Sequence, residues 1–388
     1  MTTTTTAPLL EFDTPERFLE GLNAWVALES PTSDAAAVNR LMDRVQADCE
    51  GIGATVERVP GTLGRGDHLV VRAPWNSKSN ERGVTLLGHL DTVHPIGSLE
   101  LNPIRTEGGM AYGPGINDMK AGSHACFAAM RRLIEAGQEA PLPLTIVYVS
   151  DEEVGSQSSQ ALIEAEAKRS KYVLVLEAAR GGGRVVTSRK GLARYDLSVR
   201  GVPAHSGSAH KAGRSAVKEL AHQILALEGM TDYDRGITVS IGMVSGGTAA
   251  NVVPEHATAS IDLRVPTMAD AKEMVARIEG LVPVTRDVTL TVTGGMNRFP
   301  YTKQERPDVA ALFDHAKSLA ADIGFDLQDL PTGEGSGGSD GQFCIQYASV
   351  LDGLGPYGGG SHTNGEFLDL ATIAPRGTLL LHLLQTLR

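Results

Sequence analysis

The sequence predicts an α/β protein with a mostly parallel central sheet and an inserted α+β domain of ferredoxin-like order. Three observations lead there. Strand-like and helix-like segments alternate up to about residue 192 and again after about residue 305. Between them, residues 193–305 follow a different order, β-α-β-β-α-β. The chain has 388 residues, too many for one ordinary core, which makes two domains the first expectation.

The first region opens with two amphipathic helices, "PERFLEGLNAWVALES" and "DAAAVNRLMDRVQADCEGIG", the second stopping at glycine. Short strand-like runs follow, "ATVERVP", "HLVVRAP" and "VTLLGHLD". A glycine-rich loop, "TEGGMAYGPGINDMKAG", feeds the apolar helix "SHACFAAMRRLIEAG". Then come the strand "LPLTIVYVSDEE", the helix "SSQALIEAEAKR" and the strand "KYVLVLEAA". Strands that alternate with helices read as a parallel, helix-covered sheet.

In the middle region "ARYDLSVRG", "GITVSIGMVSGG", "ATASIDLRVP" and "DVTLTVTGG" read as strands, with helices "GRSAVKELAHQILALEG" and "DAKEMVARIEGLV" between them. The last region resumes the first pattern with the helix "PDVAALFDHAKSLAADIGF", the strand "CIQYASVLDG" and the helix "LATIAPRGTLLLHLLQTL". The expected division is 1–192 with 306–388 for one domain and 193–305 for the other.

Composition narrows the function. The formal net charge is −11 and no basic patch is visible, which argues against a nucleic-acid partner. Three sparse cysteines without CxxC spacing read as reduced thiols, and a cytoplasmic location is expected. The start "MTTTTTAPLLEF" has neither a basic nor a long apolar stretch, so it does not read as a signal peptide; its Thr run reads as a disordered tip. No apolar run reaches the roughly 18 residues of a membrane span.

The polar residues at strand ends carry the chemistry. Residues i and i+2 of a strand face one side, so His89 and Asp91 project together after "VTLLGH". "LTIVYVS" runs into Asp151, Glu152 and Glu153, and "YVLVL" runs into Glu177. Asp118 lies in a Gly/Pro loop before a helix, and His362 in a glycine-rich loop after the last strand. Each has a plain alternative: a solvated turn for the acidic run, a helix cap for Asp118, a salt bridge for Glu177, a loop histidine for His362. Their arrival at one rim is the sharper signal, because ligands in open α/β sheets bind beyond the carboxyl ends of the strands. Glu152 and Glu153, adjacent on an extended chain, should point to opposite faces and serve different tasks. Two histidines with several carboxylates suit a pair of divalent ions that share one carboxylate.

The motifs "GHLDTVHP", "AYGPGINDMKAG", "SDEEVGS", "LEAAR", "GVPAHSG", "GTAANVVP", "IDLRVP", "GGSDG" and "GGSHTNGE" occur in that order. From about residue 15 to its end the chain resembles the co-catalytic zinc metallopeptidases, which include glutamate carboxypeptidase, aminoacylase, acetylornithine deacetylase and succinyl-diaminopimelate desuccinylase. "AYGPGIND" is most similar to the bacterial glutamate carboxypeptidase branch. The resemblance implies a zinc-hydrolase domain with an inserted lid and dimerisation domain. It implies two zinc ions per subunit, with cobalt or manganese as possible substitutes. His89 and Glu177 would hold one ion, Glu153 and His362 the other, and Asp118 both, followed by a cis peptide into Met119. Met119 departs from an often acidic or small residue, at a position that contributes mainly backbone. Asp91 would fix the tautomer of His89, and Glu152 would be the general base.

The same resemblance makes His205 a residue that reaches a neighbouring subunit's site and steadies an oxyanion. Asn251, Arg264 and the loop around Gly338 would hold the substrate, with Arg264 suited to a bidentate grip on a carboxylate. His68, His94, His124, His210, His222, His256, His315 and His382 are given no role. The implied activity is hydrolysis of an amide bond whose amine side is an amino acid with a free carboxylate, C-terminal glutamate first, in a homodimer. Deacetylation, desuccinylation, dipeptide or carbamoyl-amino-acid hydrolysis are alternatives on the same site. A two-metal phosphoesterase is disfavoured by Arg264 and the full motif set, and a non-catalytic scaffold by the presence of Glu152 and every ligand.

Overall fold

Side-chain caps decide where the first two helices begin. Thr14 accepts a bond from Arg17 N, and Pro15 fills the first turn of the helix Pro15–Val26. Asp34 accepts from Ala37 N at 2.9 Å at the start of Ala35–Gly51. The computed structural model describes residues 8–331, 334 and 337–388. The Thr run at the N-terminus lies outside the described residues.

The described chain forms two compact units. One comprises the chain up to Thr187 with Lys303–Leu330 and Ser339–Arg388; the other comprises Ser188–Thr302 with the described residues of 331–338. Among the described residues the first unit carries a six-stranded sheet. Its strands lie in the order Thr55–Val59, His68–Arg72, Leu144–Val149, Gly83–His89, Ser170–Val175, Ser349–Leu351. The first two pairings are antiparallel and the remaining three parallel. Gly83–His89 and Leu144–Val149 are buried along their whole length, as strands covered on both faces must be.

From the central strand Gly83–His89 the chain passes through the helix Ala121–Glu135 to the neighbour on one side, Leu144–Val149. It then passes through the helix Gln160–Lys168 to the neighbour on the other side, Ser170–Val175. This reversal opens a crevice at the carboxyl ends of the parallel strands, and His89 stands at its mouth.

Two glycines let the helix Ala121–Glu135 press on the strand ends. A Cβ on Gly88 would lie 2.6 Å from Ser123 Oγ, and one on Gly122 would lie 1.7 Å from Leu176 O. The close approach lets Ser123 Oγ donate to His89 O at 2.7 Å. Beneath, Phe18, Leu22, Trp25 and Met130 join the main core. His124 is buried there, edge-on to Trp25 and Phe18 at 4.9 and 4.8 Å. Burial, then Arg131 and Arg44, pull its pKa down to about 3, so it is a neutral core residue.

In the second unit the strands lie in the order Thr238–Gly246, His256–Val265, Gly191–Arg200, Thr289–Arg298, all antiparallel. Gly191–Arg200 alternates buried and exposed residues from Ala193 onward, so one face is covered. Leu197, Val199 and Ile261 pack there with Leu220 of the helix Ala216–Glu228 and Met274 and Ile278 of the helix Met268–Glu279.

Three local expectations fail. The segment "CIQYASVLDG" is not a continuous strand: Gly341–Cys344 is helical, and only Ser349–Leu351 pairs in the sheet. A short apolar run lacks the periodicity to separate the two. The glycine-rich loop contains the strands Arg105–Glu107 and Met110–Tyr112, which join Phe367–Asp369 and Gly358–Gly359 in a small antiparallel sheet. Glu152 and Glu153 lie in a 3-10 turn, not on extended chain, so they diverge by about 120° rather than 180°. Among the described residues no helix is long and apolar enough to cross a membrane.

The contact at Gly122 generates a stability prediction. Gly122→Ala forces the helix off Leu176 and is expected to cost about 1–3 kcal/mol. Thermal unfolding of the metal-free protein measures it, and an unchanged Tm would refute the close contact.

Candidate metal centre

The strand Gly83–His89 delivers His89 beside Val149, its register partner in Leu144–Val149. His89 Nδ1 lies 2.9 Å from the main-chain oxygen of Asp91. A carbonyl only accepts, so Nδ1 carries a proton and Nε2 is the ring nitrogen turned toward the carboxylates. That Nε2 is buried and has no hydrogen-bond partner among the described residues. It faces carboxylates alone: Asp118 Oδ1 at 3.3 Å and Glu177 Oε1 at 3.7 Å.

Asp118 turns its other oxygen, Oδ2, to His362 Nε2 at 3.4 Å, and that nitrogen is 3.3 Å from Glu153 Oε2. The structure therefore brings His89, Asp118, Glu153, Glu177 and His362 together as two clusters sharing Asp118. His89, Asp118 and Glu153 each offer an atom within 4.8 Å of the others. Ligand bonds of about 2.0–2.2 Å at tetrahedral angles set ligand atoms roughly 3.3–3.6 Å apart, the spacing seen here. Nε2 of His89 and Oε1 of Glu153 are buried without a hydrogen-bond partner among the described residues, and the convergent imidazole and carboxylate donors fit divalent cations that take the place of their protons.

Electrostatics leads to the same fit. Burial opposes charge on His89, but Asp118, Asp91 and Glu177 outweigh it and hold its pKa well above the ordinary value. Asp118 is half-buried, which opposes its charge, yet His362 and His89 keep its carboxyl well below the usual range. Burial, followed by Asp118 and Asp91, pushes Glu153 up to about 8. Burial and Asp118 push Glu177 up to about 7. Asp118, then Glu153, raise His362 to about 9.

Asp91 is fully buried and organises the neighbouring turn. Its carboxylate accepts from Thr32 Oγ1 at 2.7 Å and from the N–H groups of Glu152 and Glu153 at 3.2 and 3.3 Å. It lies 3.5 Å from His89 Nδ1, farther than its own carbonyl, so the main chain sets the His89 tautomer. Glu152 begins the 3-10 turn whose next residue is Glu153. The Asp118–Met119 peptide is cis, and Met119 is buried against Gly88. Arg180 Nη2 lies 3.8 Å from Glu177 Oε2, the far side from His89.

His205, Asn251 and Arg264 belong to the second unit. His205 Nδ1 accepts from the N–H groups of Gly207 and Ser208, both at 3.1 Å, so Nε2 carries the proton of an exposed ring. Asn251 is its neighbour, its main-chain oxygen accepting from Ser206 N–H at 2.9 Å. Arg264 lies eight residues along its strand from His256, roughly 27 Å at the usual rise, and forks onto Asp262 at 2.7 and 3.1 Å. Arg189 Nη1 donates to Gly337 O at 2.8 Å beside Gly338; Gly335 and Ser336 of that loop lie outside the described residues.

Sequence reasoning missed Thr32, Arg180 and Glu366, and gave His94 no role. Glu366 follows His362 by four residues and is fully buried. The usable signal was an acidic residue set between a glycine and the apolar Phe367 and Leu368.

Residues 85–386 match peptidase family M20/M25/M40. The chain is 27% identical over 366 residues to carboxypeptidase G2 of Pseudomonas sp. (strain RS-16), covering 92% of this chain and 86% of that one. It is 26% identical over 400 residues to succinyl-diaminopimelate desuccinylase of Delftia acidovorans, covering 96% and 98%. Its fold is similar to the crystal structure of aminopeptidase PepT from Bacillus cereus, with TM-score 0.75, 21% identity and coverage of 96% and 98%. The chain belongs to peptidase family M20/M25/M40, and is an enzyme of the metallo-carboxypeptidase and amidohydrolase type that uses a divalent metal.

The raised pKa values generate a pH prediction. Glu153 and Glu177 support the metal-free fold below their ordinary value of 4.5 and withdraw that support as pH rises through about 8 and about 7. His362, raised from 6.5 to about 9, acts in the same direction at higher pH. The Tm of chelated protein should fall between about pH 5 and about pH 9, and divalent ions should restore it most at the alkaline end. Titration calorimetry in buffers of different ionisation enthalpy should show proton release on metal binding at neutral pH. Binding without proton release would contradict this cluster.

Proposed function

From membership of that family, we propose that the protein hydrolyses the amide bond of an N-acyl amino acid or small peptide whose amine side carries a free carboxylate. Glutamate as the released amino acid is the first expectation. The observation that carries the reading is Asp118, with one oxygen toward His89 and the other toward His362. His89 and Glu177 would hold one zinc ion and Glu153 and His362 the second, with Asp118 shared. When bound, such a pair supplies Lewis acidity toward the scissile carbonyl and lowers the pKa of a water.

The chain's own residues do the rest. Asp91 holds the N–H groups of Glu152 and Glu153, which fixes the turn from which both carboxylates project. Glu152 takes a proton from the attacking water as the C–O bond forms, and passes it to the amine nitrogen as the C–N bond breaks. The exposed Nε2–H of His205 is a donor suited to a developing oxyanion, and its tautomer is set by Gly207 and Ser208. Arg264, its fork now on Asp262, would exchange that partner for the substrate's carboxylate. Arg180 adds positive charge near Glu177, consistent with an anionic substrate.

A homodimer is part of this reading, and the second unit's own geometry supports it. His205 with Asn251 and Arg264 stand at opposite ends of that unit's strands, too far apart for one small substrate to touch both in one copy. A second copy would supply one end. The edge strand Thr238–Gly246 exposes Met243 by 71% and Val244 by 60%, an edge suited to pairing with its twin. A desuccinylase reading stays beside the carboxypeptidase one because a relative named for that activity aligns over 96% of the chain.

A hydrolysis panel tests the reaction class. Purified protein loaded with zinc should release free amino acid from some member of a set of N-acetyl, N-succinyl, N-carbamoyl and aryl-acyl amino acids and dipeptides. Glu152→Gln should lower kcat by about 10²–10⁴-fold with both ions still bound. No hydrolysis of any amide by the fully loaded protein would sink the proposal. For the dimer, mixing inactive Glu152→Ala and His205→Ala chains should restore part of the activity; no recovery after subunit exchange would count against shared sites.

A further inference from the structure

Glu366 is a carboxylate with 0% exposure, and each of its oxygens takes two hydrogen bonds. Oε1 accepts from the main-chain N–H groups of Asn117 and Asp118, both at 2.8 Å. Oε2 accepts from Gly115 N–H at 2.7 Å and from His94 Nε2 at 2.6 Å. All four lone-pair directions of the carboxylate are thus engaged. Its main-chain oxygen accepts from Asn102 Nδ2 at 3.1 Å, which ties down the backbone of Glu366 itself.

These donors lie on separate segments, and each segment carries a residue of the metal centre. His94 follows His89 and Asp91 in one loop. Gly115, Asn117 and Asp118 form the bend that presents the shared carboxylate. Glu366 lies four residues beyond His362. Asn117 Nδ2 adds a second tie to the His362 loop through Ser361 Oγ at 2.8 Å.

We infer that Glu366 is a positioning residue for the metal centre: by holding the main chain at 115–118 and the ring of His94, it fixes the direction in which Asp118 presents its two oxygens. The inference rests on the paired-ion reading above. Bonds to main-chain N–H groups fix the path of the chain, and with it the Cα–Cβ direction of Asp118, more firmly than bonds between side chains. The geometry also makes the two ions interdependent, because a turn of Asp118 moves one oxygen away from each histidine together. Outer partners of this kind are worth about 10–100-fold in metal affinity.

The test titrates metal-free protein with Co2+ and reads both the dissociation constants and the visible absorption spectrum. Wild type should bind two ions per chain. Glu366→Gln puts an amide NH2 against N–H donors, and should weaken binding by about 10–100-fold and change the spectrum of the bound ions. His94→Leu removes one donor of the four and should give a smaller loss in the same direction; His94→Gln, which keeps an N–H, should recover most of it. A change in the ligand-field spectrum is a readout that general destabilisation of a folded protein would not produce. If wild type binds two ions and Glu366→Gln matches it in affinity and spectrum, this inference alone is overturned. Should Glu366→Gln not fold, His94→Leu decides, and unchanged affinity and spectrum there overturn it. A wild type that binds fewer than two ions removes the paired-ion reading, and this inference falls with it.

Discussion

The rest of the first unit's cluster is arranged around one carboxylate, Asp118, that faces two histidines at once. Its oxygens stand 3.3 Å from His89 Nε2 and 3.4 Å from His362 Nε2, in a place buried enough that unshielded charge is costly. Glu153 and Glu177 crowd the same space, and their raised pKa values measure how poorly it tolerates further anions. Such a convergence of carboxylates and imidazoles suits a cation that displaces the protons they hold. It is unfavourable without the cation, and for that reason the surrounding chain has to hold it in place.

The sheet supplies most of that support. Three parallel strands, Leu144–Val149, Gly83–His89 and Ser170–Val175, end at one level, and their last residues lead directly into Glu152, His89 and Glu177. The helix Ala121–Glu135 closes on these ends because Gly88 and Gly122 leave no side chain in the way. The two members of the cluster that do not follow strands of this sheet, Asp118 and His362, come from loops. There the small antiparallel sheet joining Met110–Tyr112 to Phe367–Asp369 draws the two segments together. Strand ends and paired loops thus provide different members of one cluster.

This division explains what the sequence could disclose. A strand buried on both faces must be a continuous apolar run, so a charged residue at its end is an anomaly visible in one line of sequence. His89, Glu153 and Glu177 were legible for that reason, as was the mostly parallel sheet. Asp118 and His362 stood out only through the glycines around them. The Glu152–Glu153 turn was misread as extended because nothing local distinguishes a strand's last residue from the first of a 3-10 turn. The pairing of His94 with Glu366 was invisible: they meet across 272 residues, and a pairing of that range leaves no period in the sequence. The same holds for Thr32, which reaches Asp91 from 59 residues away.

Asp91 illustrates how a residue can be legible in the sequence while its contacts are not. The i, i+2 rule puts its side chain on the face of His89 and suggests that the carboxylate grips the imidazole. In the folded chain the strand has already ended at His89, and the main-chain oxygen of Asp91 curls back to take the Nδ1 proton. The carboxylate is thereby released to accept the N–H groups of Glu152 and Glu153. One residue therefore sets the His89 tautomer with its backbone and fixes the adjacent acidic turn with its side chain. An Asp91→Asn change keeps the first contact and weakens the second, since an amide nitrogen cannot accept an N–H. Any loss in such a variant would arise from a displaced Glu152 and Glu153, with the His89 tautomer intact.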